Sequence, residues 1–406
     1  MTGPLSHLRV LDLSRILAGP WAAQILADLG ADVTKVELPG VGDDSRSWGP
    51  PFLKDEFGEP TRDAGYFLAV NRGKRSITLN IATPEGADVV RKLAADVDIV
   101  IENYRVGTLA KYGLSHAQLA EINPRLVYCS VTGFGQNGPR AKQPAYDFLI
   151  QAMGGLMSVT GAPDHEPGGG PQKVGIPIID LITGVYASSA ILAGIAARDA
   201  TGKGQYIDMA MLDVQVNLLS NQAMNHLLTG RVPQRTGNAH PNIQPQKVYR
   251  CRDGDIILVV GNDAQFERLC EAMGVPALSA DDRFRTNAFR VANRAALEAE
   301  LDPLFTTDDR AVWLQRIEAM NVPCGPINSI PEALTDPQVA YRGMVRRLPH
   351  PVAGSVPQIA SPFRFNDVSL AADRAPPMLG QHTDEILSEL GFPRSTVEQW
   401  RERGIV

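Results

Sequence analysis

The first third of the chain repeatedly alternates a short apolar run with a helical pattern. Residues 8–13, which are mostly apolar, and residues 33–37 are predicted as strands, and the helical stretch between them stops at Gly30. The alternation recurs through residues 76–102 and again through residues 115–132. Strands that alternate with helices of about ten to fifteen residues predict a parallel sheet covered on both faces. We therefore expect an α/β fold with a large, doubly wound, Rossmann-like domain.

A different pattern begins at about residue 225. Two strand-like runs joined by Asp253-Gly254 predict an antiparallel hairpin, and three helical segments follow between residues 264 and 320. Because 406 residues exceed one small module, we predict several regions. They are residues 1–224 as the N-terminal part of the large domain, 225–330 as a smaller α+β domain, and 331–406 as a C-terminal segment. Periodicity alone leaves open where that last segment packs.

Charge and cysteine content exclude some classes of protein. The chain has 39 basic and 45 acidic residues, a net charge of −6, which is not the basic balance that nucleic-acid binding requires. The histidines are scattered, and the four cysteines are too far apart for a zinc ribbon or a disulfide framework. We expect no nucleic-acid partner, no metal and a reducing compartment.

The longest apolar run raises the question of a membrane. Residues 181–197 carry no charge between Asp180 and Arg198, but the run is shorter than the ~20 residues needed to cross a bilayer. Its many Gly, Ala and Ser residues favour a helix packed in a protein core. Residues 1–7 lack the pattern of a secretory signal. We expect no membrane partner and a cytoplasmic location.

Asp180 is the most informative acidic residue. It follows the apolar residues 176–179 and precedes the small-residue helix. One interpretation is an N-cap, in which the carboxylate accepts hydrogen bonds from first-turn N–H groups. The other is a carboxylate nucleophile that attacks an acyl carbon and forms a mixed anhydride. The pattern alone favours the cap, and both roles can hold together.

Basic residues gather near the ends of the predicted strands. They are Arg46, Arg72, Lys74, Arg75, Arg105 and Lys111. Loops that leave the carboxyl ends of parallel strands converge on one crevice, where cations suit a polyanionic ligand. The turn at residues 17–20 adds a helix start that favours an anion such as phosphate, although no GxGxxG is present. From charge alone, a patch paired with nearby acids is the favoured alternative.

Residues 237–242 form a polar, turn-rich segment between apolar stretches. Such a loop suits a mobile lid, and His240 within it suits a general base. A hinge between two domains is the default interpretation.

Taken in order, many segments resemble the family III CoA-transferases, the group that includes formyl-CoA transferase and carnitine CoA-transferase. The segments are residues 11–15 with 18–20, 35–37 with 42–46, 71–77, 102–105, 130–135, 146–147, 177–184, 202–205, 237–242 and 323–326. The resemblance covers nearly the full length. It implies that the C-terminal segment returns to the large domain and that two chains thread through each other as an interlocked homodimer.

The resemblance also assigns roles. It implies that Asp180 is the catalytic aspartate and that a CoA thioester is a substrate, with no cofactor bound permanently. Combined with the charge pattern, the resemblance gives as candidate CoA contacts Ala18, Gly19, Arg46, Arg72, Lys74, Arg75, Asn103, Tyr104, Lys111 and Met211. The candidate substrate contacts are Arg105, Tyr146, Gly237, Asn238 and His240. Backbone N–H groups of the 237 loop are candidates to stabilise oxyanions.

Two departures bear on the substrate. The formyl-CoA branch has a run of glycines in the lid, whereas this chain has residues 238–242 there, which disfavours formate and oxalate. Arg105 follows Tyr104, as in relatives that handle succinyl or other dicarboxylyl groups. A guanidinium can clamp a distal carboxylate through two hydrogen bonds. We therefore expect CoA to move from succinyl-CoA, or another dicarboxylyl-CoA, to an acceptor acid through anhydride and CoA thioester intermediates on Asp180.

Two alternatives remain open. An α-methylacyl-CoA racemase needs a base on each side of the α-carbon. Racemase relatives carry a histidine where this chain has Tyr146, and a tyrosine with an unperturbed pKa of ~10 is a poor base. A catalytically inactive CoA-binding protein is the second alternative, and Asp180 argues against it.

Overall fold

The computed structural model describes residues 3–366, 370 and 374–406. The chain forms two compact units. The large unit comprises Met1–Gly155, Val174–Ser220 and Pro337–Val406, and the small unit comprises Leu156–Lys173 and Asn221–Asp336. Residues 156–173, which the sequence analysis assigned to the large domain, therefore cluster with the small unit.

The elements are numbered along the chain. The strands are β1 (Arg9–Asp12), β2 (Asp32–Glu37), β3 (Phe52–Lys54), β4 (Pro60–Ala64), β5 (Lys74–Thr78), β6 (Ile99–Glu102), β7 (Val127–Thr132), β8 (Gln205–Ala210), β9 (Gln246–Cys251), β10 (Gly254–Val259), β11 (Cys324–Pro326), β12 (Val345–His350) and β13 (Gly354–Ile359). The helices are α1 (Ala18–Asp28), α2 (Gly65–Val70), α3 (Pro84–Ala94), α4 (His116–Ile122), α5 (Asp147–Met153), α6 (Leu156–Val159), α7 (Ile178–Thr201), α8 (Met211–Leu218), α9 (Ser220–Thr229), α10 (Asp263–Ala272), α11 (Asn287–Ala292), α12 (Arg294–Phe305), α13 (Arg310–Ala319), α14 (Ile330–Thr335), α15 (Pro337–Tyr341), α16 (Thr383–Glu389) and α17 (Arg394–Glu402).

The large unit is built on a six-stranded parallel sheet with the order β5-β2-β1-β6-β7-β8. Successive residues of its strands point to opposite faces. Leu11 and Val100 pack on one face with residues of α3, α4, α16 and α17, and Val10 and Ile99 pack on the other with residues of α1 and α7. The prediction of a parallel sheet covered by helices on both faces is confirmed.

Helix α7 is longer than the apolar run that the sequence analysis considered. In length and composition it is sufficient to cross a membrane, so the argument from shortness was wrong. Its contacts are those of a core helix. Ala187 and Ile191 are fully buried against the sheet, and a Cβ added at Gly184 would lie only 2.8 Å from Trp21 of α1. The buried Arg198 near its end pairs with Asp98 at 2.6 Å.

The last segment packs along the edge strand β5. The Ser76 carbonyl accepts from the His382 N–H at 2.9 Å, and the Thr78 N–H donates to the Thr383 hydroxyl at 3.0 Å. The last helix of the segment is α17, Arg394–Glu402.

The small unit contains the predicted antiparallel β9–β10 hairpin. Its turn lies one residue earlier than predicted, because Cys251 pairs with Gly254 and Arg252-Asp253 joins the strands. Strand β11 pairs with β10 on the side away from β9. Four helices, α10 to α13, lie where three helical segments were predicted. Tyr249, Phe305 and Trp313 pack with tilted rings in the buried core of this unit.

Candidate active site

The carboxyl ends of the central strands open onto a cavity of about 220 Å³ in the large unit. Doubly wound sheets bind their ligands at this end. The predicted site residues that line the cavity are Ala18, Asn103, Tyr104, Arg105, Tyr146, Asp180 and Met211. Sequence reasoning had missed several other lining residues, among them Arg15, Ile16, Leu17, Lys142 and Gln143. The fold therefore brings residues from six separate segments of the large unit to one place.

Asp180 lies in the first turn of α7, and its side chain lines the cavity. It does not cap the helix, so the capping interpretation was wrong. Instead, the buried carboxylate of Asp147 accepts the N–H of Ile179 at 2.7 Å and that of Asp180 at 3.3 Å. Burial, together with the negative charge of Asp147, raises the pKa of Asp180 to about 7. Asp180 is therefore a basic carboxylate, partly ionised at neutral pH.

The loop between β1 and α1 is held in place by side chains. Asn103 clamps the backbone of Arg15, accepting its N–H at 2.8 Å and donating to its carbonyl at 2.7 Å. Ile16 has a φ of 74°, which is unusual for a β-branched residue, and both oxygens of Asp43 accept its N–H. Lys35 neutralises Asp43 at 2.8 Å, with both side chains fully buried. This cavity wall is fixed by a network that tolerates local backbone strain.

Three cations reach the cavity. Arg15 pairs with Asp44 at 3.0 Å and lies over the Tyr104 ring. Arg105 and Lys142 have no carboxylate partner among the residues that the structure describes. A cation that the protein leaves unpaired is available to an anionic ligand.

Comparison with known proteins decides the family. Residues 5–383 match the sequence model described as CoA-transferase family III. The chain belongs to this family. The resemblance identified from the sequence is thus confirmed, and the protein is an enzyme of the CoA-transferase class.

Named relatives match this family III CoA-transferase over most of their length. It is 47% identical to succinate–glutarate CoA-transferase of Agrobacterium fabrum, covering 95% of this chain and 96% of that protein. It is 41% identical to succinyl-CoA:glutarate CoA-transferase of Homo sapiens, covering 95% of this chain and 86% of that protein. A crystal structure of a CAIB/BAIF family protein from Brucella suis matches with a TM-score of 0.84 and 48% identity, covering 96% of this chain and all of that one.

Lys74 lies away from the cavity of the transferase, which corrects its assignment as a CoA contact. Its ammonium is fully buried and donates to Asp12 at 2.8 Å, to the Pro20 carbonyl at 2.9 Å and to the Asn71 side chain at 2.8 Å. Burial lowers the pKa of Lys74 to about 8, against the effect of the Asp12 charge. A fully buried ammonium with three protein partners has a structural role.

The assignments of Arg46, Arg72 and Arg75 as CoA contacts are also corrected, because each of these arginines is paired with carboxylates of the protein. Arg46 pairs with Glu37 at 2.7 Å and also with Asp63, and Arg72 pairs with Asp28 at 2.7 Å. Arg75 contacts three carboxylates at 3.0 to 3.2 Å, those of Asp32, Glu385 and Glu389. None of these arginines lines the Asp180 cavity. The alternative of a basic group paired with nearby acids therefore describes them correctly.

Two further candidates do not line the cavity. Lys111 is exposed in a short 3-10 turn, Leu109–Tyr112. Gly19 is buried in the first turn of α1, where an added Cβ would lie 2.4 Å from the Cβ of Ser14. Glycine at position 19 is therefore required by close packing of the β1–α1 turn.

Gly237, Asn238 and His240 belong to the small unit. Gly237 has a φ of 58° and donates its N–H to the Gly161 carbonyl, and the His240 Nδ1 accepts the Asn242 N–H at 3.0 Å. Burial, followed by the charge of Arg294, lowers the pKa of His240. Their roles at Asp180, as lid, oxyanion donors or base, stay predictions.

Glu102 is a buried carboxyl beside the cavity that sequence reasoning missed as a functional group. It accepts the Tyr104 N–H at 2.8 Å and the Ser130 hydroxyl, and Tyr206 donates to Ser130 at 3.3 Å. Burial raises the pKa of Glu102 to about 7. No cluster of three His, Cys, Asp or Glu suited to a metal occurs in the described ranges.

Proposed function

We propose that this transferase moves CoA from succinyl-CoA, or another dicarboxylyl-CoA, to a small dicarboxylic acid such as glutarate, with Asp180 as the nucleophile. The observation that carries the proposal is that Asp180 and the unpaired Arg105 line the same cavity. The names of the relatives from Agrobacterium fabrum and Homo sapiens support the same substrate class.

The first half-reaction begins with the carboxylate of Asp180. It attacks the thioester carbon of the donor, the C–S bond breaks, and CoA leaves as a thiolate, so that an acyl-aspartyl anhydride forms. The thiolate then attacks the aspartyl carbon, and the donor acid leaves as a carboxylate. Because the cavity holds both groups, each attack is effectively intramolecular.

The second half-reaction reverses these steps with the acceptor. Its carboxylate attacks the aspartyl-CoA thioester and releases the CoA thiolate, which attacks the acceptor's acyl carbon in the second anhydride. The new acyl-CoA departs, and Asp180 is again a carboxylate. No oxidant, ATP or net proton is consumed, since one thioester replaces another.

Arg105 gives this chemistry its selectivity. Its exposed guanidinium has no carboxylate partner in the described part of the chain and suits the distal carboxylate of a succinyl or glutaryl group. Arg15 and Lys142 supply further positive charge for the phosphates of CoA, on a chain whose net charge is −6.

Substituting Arg105 tests the substrate class. Removing a charged hydrogen bond that contacts the substrate costs about 1.5–3 kcal/mol, so Arg105→Ala is expected to lower kcat/KM for succinyl-CoA roughly ten- to hundredfold. Its kcat/KM for acetyl-CoA should change little. Arg62→Ala, a change at an exposed arginine outside this cavity, is the matched control. Equal use of both donors by wild type and Arg105→Ala would refute the clamp.

Trapping tests the nucleophile. Incubation with succinyl-CoA followed by hydroxylamine or borohydride should modify Asp180, as read by peptide mass spectrometry, and Asp180→Asn should remain unmodified. Bound CoA without any adduct would instead favour an inactive CoA-binding protein. Exchange of an α-proton in deuterated water without transfer of CoA would favour a racemase.

We also propose that the enzyme is a cytoplasmic, interlocked homodimer. Large apolar side chains of the large unit are exposed on neighbouring helices, among them Phe148, Tyr186 and Val216, and such exposure is typical of an interface. The free thiols of Cys129 and Cys251 suit a reducing compartment. Light scattering during gel filtration should give twice the chain mass of 43.9 kDa, and a monomer would contradict the proposal.

A further inference from the structure

Helix α7, which carries Asp180, has no capping side chain of its own. Its N-cap residue is Pro177, which makes no side-chain cap hydrogen bond. The first N–H groups of a helix need acceptors, and an uncapped start is free to fray. Here the acceptor comes from another helix, because the Asp147 carboxylate receives the N–H groups of Ile179 and Asp180.

Asp147 is itself firmly held. It is the first residue of α5 and is about nine-tenths buried. Its Oδ1 accepts a hydrogen bond from the Gln151 side-chain amide at 2.5 Å. The other end of the fully buried Gln151 side chain accepts the N–H of Val174 at 2.9 Å, on the segment that leads into α7. Asp147 and Gln151 of α5 therefore accept backbone hydrogen bonds from the chain on both sides of Pro177.

Asp147 does not line the Asp180 cavity, although its neighbour Tyr146 does. It therefore acts on a substrate only through Asp180. Its carboxylate also lies close enough to act electrostatically on Asp180, and the same two carboxylates act on the Tyr66 phenol of α2. Together with Asp147 and Tyr66, the titratable and charged groups around Asp180 are those lining the cavity, namely Arg15, Tyr104, Arg105, Lys142 and Tyr146.

We propose that Asp147 is a positioning residue for the nucleophile: it aims the Asp180 side chain by capping α7 and places a second negative charge near it. This inference rests on the proposed function of Asp180. The two effects serve the same step. A fixed first turn holds the attacking oxygen near the thioester carbon, and a more basic carboxylate is a better nucleophile toward it.

Three substitutions separate the two effects. Asp147→Asn keeps an oxygen that can accept the two backbone N–H groups but lacks the charge. Asp147→Glu keeps the charge but displaces it, and Asp147→Ala removes both. Asp88→Asn, at an exposed residue of α3, is the matched control for loss of a carboxylate.

The readouts are the pH profile of kcat with succinyl-CoA and glutarate and an infrared titration of the Asp180 carboxyl band, assigned with Asp180→Asn. In Asp147→Asn the midpoint of both titrations should fall by about one pH unit, because a neighbouring like charge has gone. Asp147→Glu should keep the wild-type midpoint but lose about tenfold in kcat. Asp147→Ala should lose at least as much in kcat, with KM for succinyl-CoA changed less than threefold, since the residue is outside the cavity.

A purely structural role would lower the melting temperature and leave the midpoints unchanged, and that result for a folded Asp147→Asn would overturn the proposal. If Asp147→Ala does not fold, the midpoints and kcat values of Asp147→Asn and Asp147→Glu still test the proposal. The infrared titration needs no turnover. A wild type that transfers no CoA would therefore refute the proposed function, while the infrared midpoints of wild type and Asp147→Asn would still test the inference.

Discussion

Lys74 offers the sharpest test of the difference between a structural cation and a ligand-binding one. The family resemblance assigns it to the CoA site, whereas the structure buries it completely against Asp12. Lys74→Met keeps the length of the side chain and removes the ammonium. If the residue is structural, the substitution should lower stability and leave CoA binding largely unchanged.

The size of the effect follows from the partners left behind. The Asp12 carboxylate would lose its ion pair at 2.8 Å, and the carbonyl of Pro20 and the side chain of Asn71 would each lose a donor. Removing one partner of a buried ion pair costs about 3–5 kcal/mol. The Lys35 ammonium still acts on Asp12, which favours the lower end of that range. For a large domain, ~3 kcal/mol lowers Tm by roughly 6–12 °C.

The assay is urea unfolding and calorimetry of Lys74→Met, with KM for succinyl-CoA measured below the transition. Lys54→Met is the matched control, because it makes the same change at an exposed lysine of β3 that is not a candidate CoA contact. Its Tm should stay within about 1–2 °C of wild type, since surface substitutions usually change stability by less than ~0.5 kcal/mol. A Lys74→Met protein with wild-type Tm and a KM raised tenfold would refute the structural assignment.

Three other predictions concern the site and its frame. Transfer at saturating substrate should fall as pH falls through about 7, because protonated Asp180 cannot attack, and a flat kcat between pH 6 and 8 would contradict this. Gly19→Ala should cost about 1–3 kcal/mol in urea unfolding, since its Cβ would meet Ser14 at 2.4 Å, whereas Gly175→Ala, with open space around it, should not. Glu102→Gln should raise KM for succinyl-CoA by disturbing the loop it holds, and an unchanged KM would assign that carboxyl a purely structural role.

The fold could be predicted from the sequence because the central strands are buried on both faces. Such strands are rich in apolar residues, and the two predicted at residues 8–13 and 33–37 lie within one residue of the observed bounds of β1 and β2. Strand β8 was missed. It is an edge strand in which only Ala210 is buried, and its sequence, Gln205–Ala210, mixes polar and apolar residues. An edge strand that is exposed in this way carries little of the signal on which periodicity depends.

The proposed nucleophile could be singled out from the sequence, but its environment could not. Asp180 stands out because a lone carboxylate starts an apolar helix. The residue that caps this helix lies 33 positions away along the chain, and nothing in the local sequence around Asp147 indicates that it accepts the Asp180 N–H. Capping by a distant side chain is a property of tertiary structure, so a rule that looks only for local caps assigned the cap to the wrong aspartate.

The wrong assignments of the buried cations as CoA contacts have the same cause, since their partners are distant in the sequence. Loops at the carboxyl ends of parallel strands collect acids as well as bases, and Asp12 and Glu37 end β1 and β2 where Lys74 and Arg46 reach them. A buried cation must have a counter-charge from the protein, whereas a cation that binds a ligand must keep its charge available until the ligand arrives. Charge pattern cannot separate the two groups, but pairing can. By that criterion, Arg105 and Lys142, which line the cavity without a carboxylate partner among the described residues, are the cations that we propose for recognition of an anionic substrate.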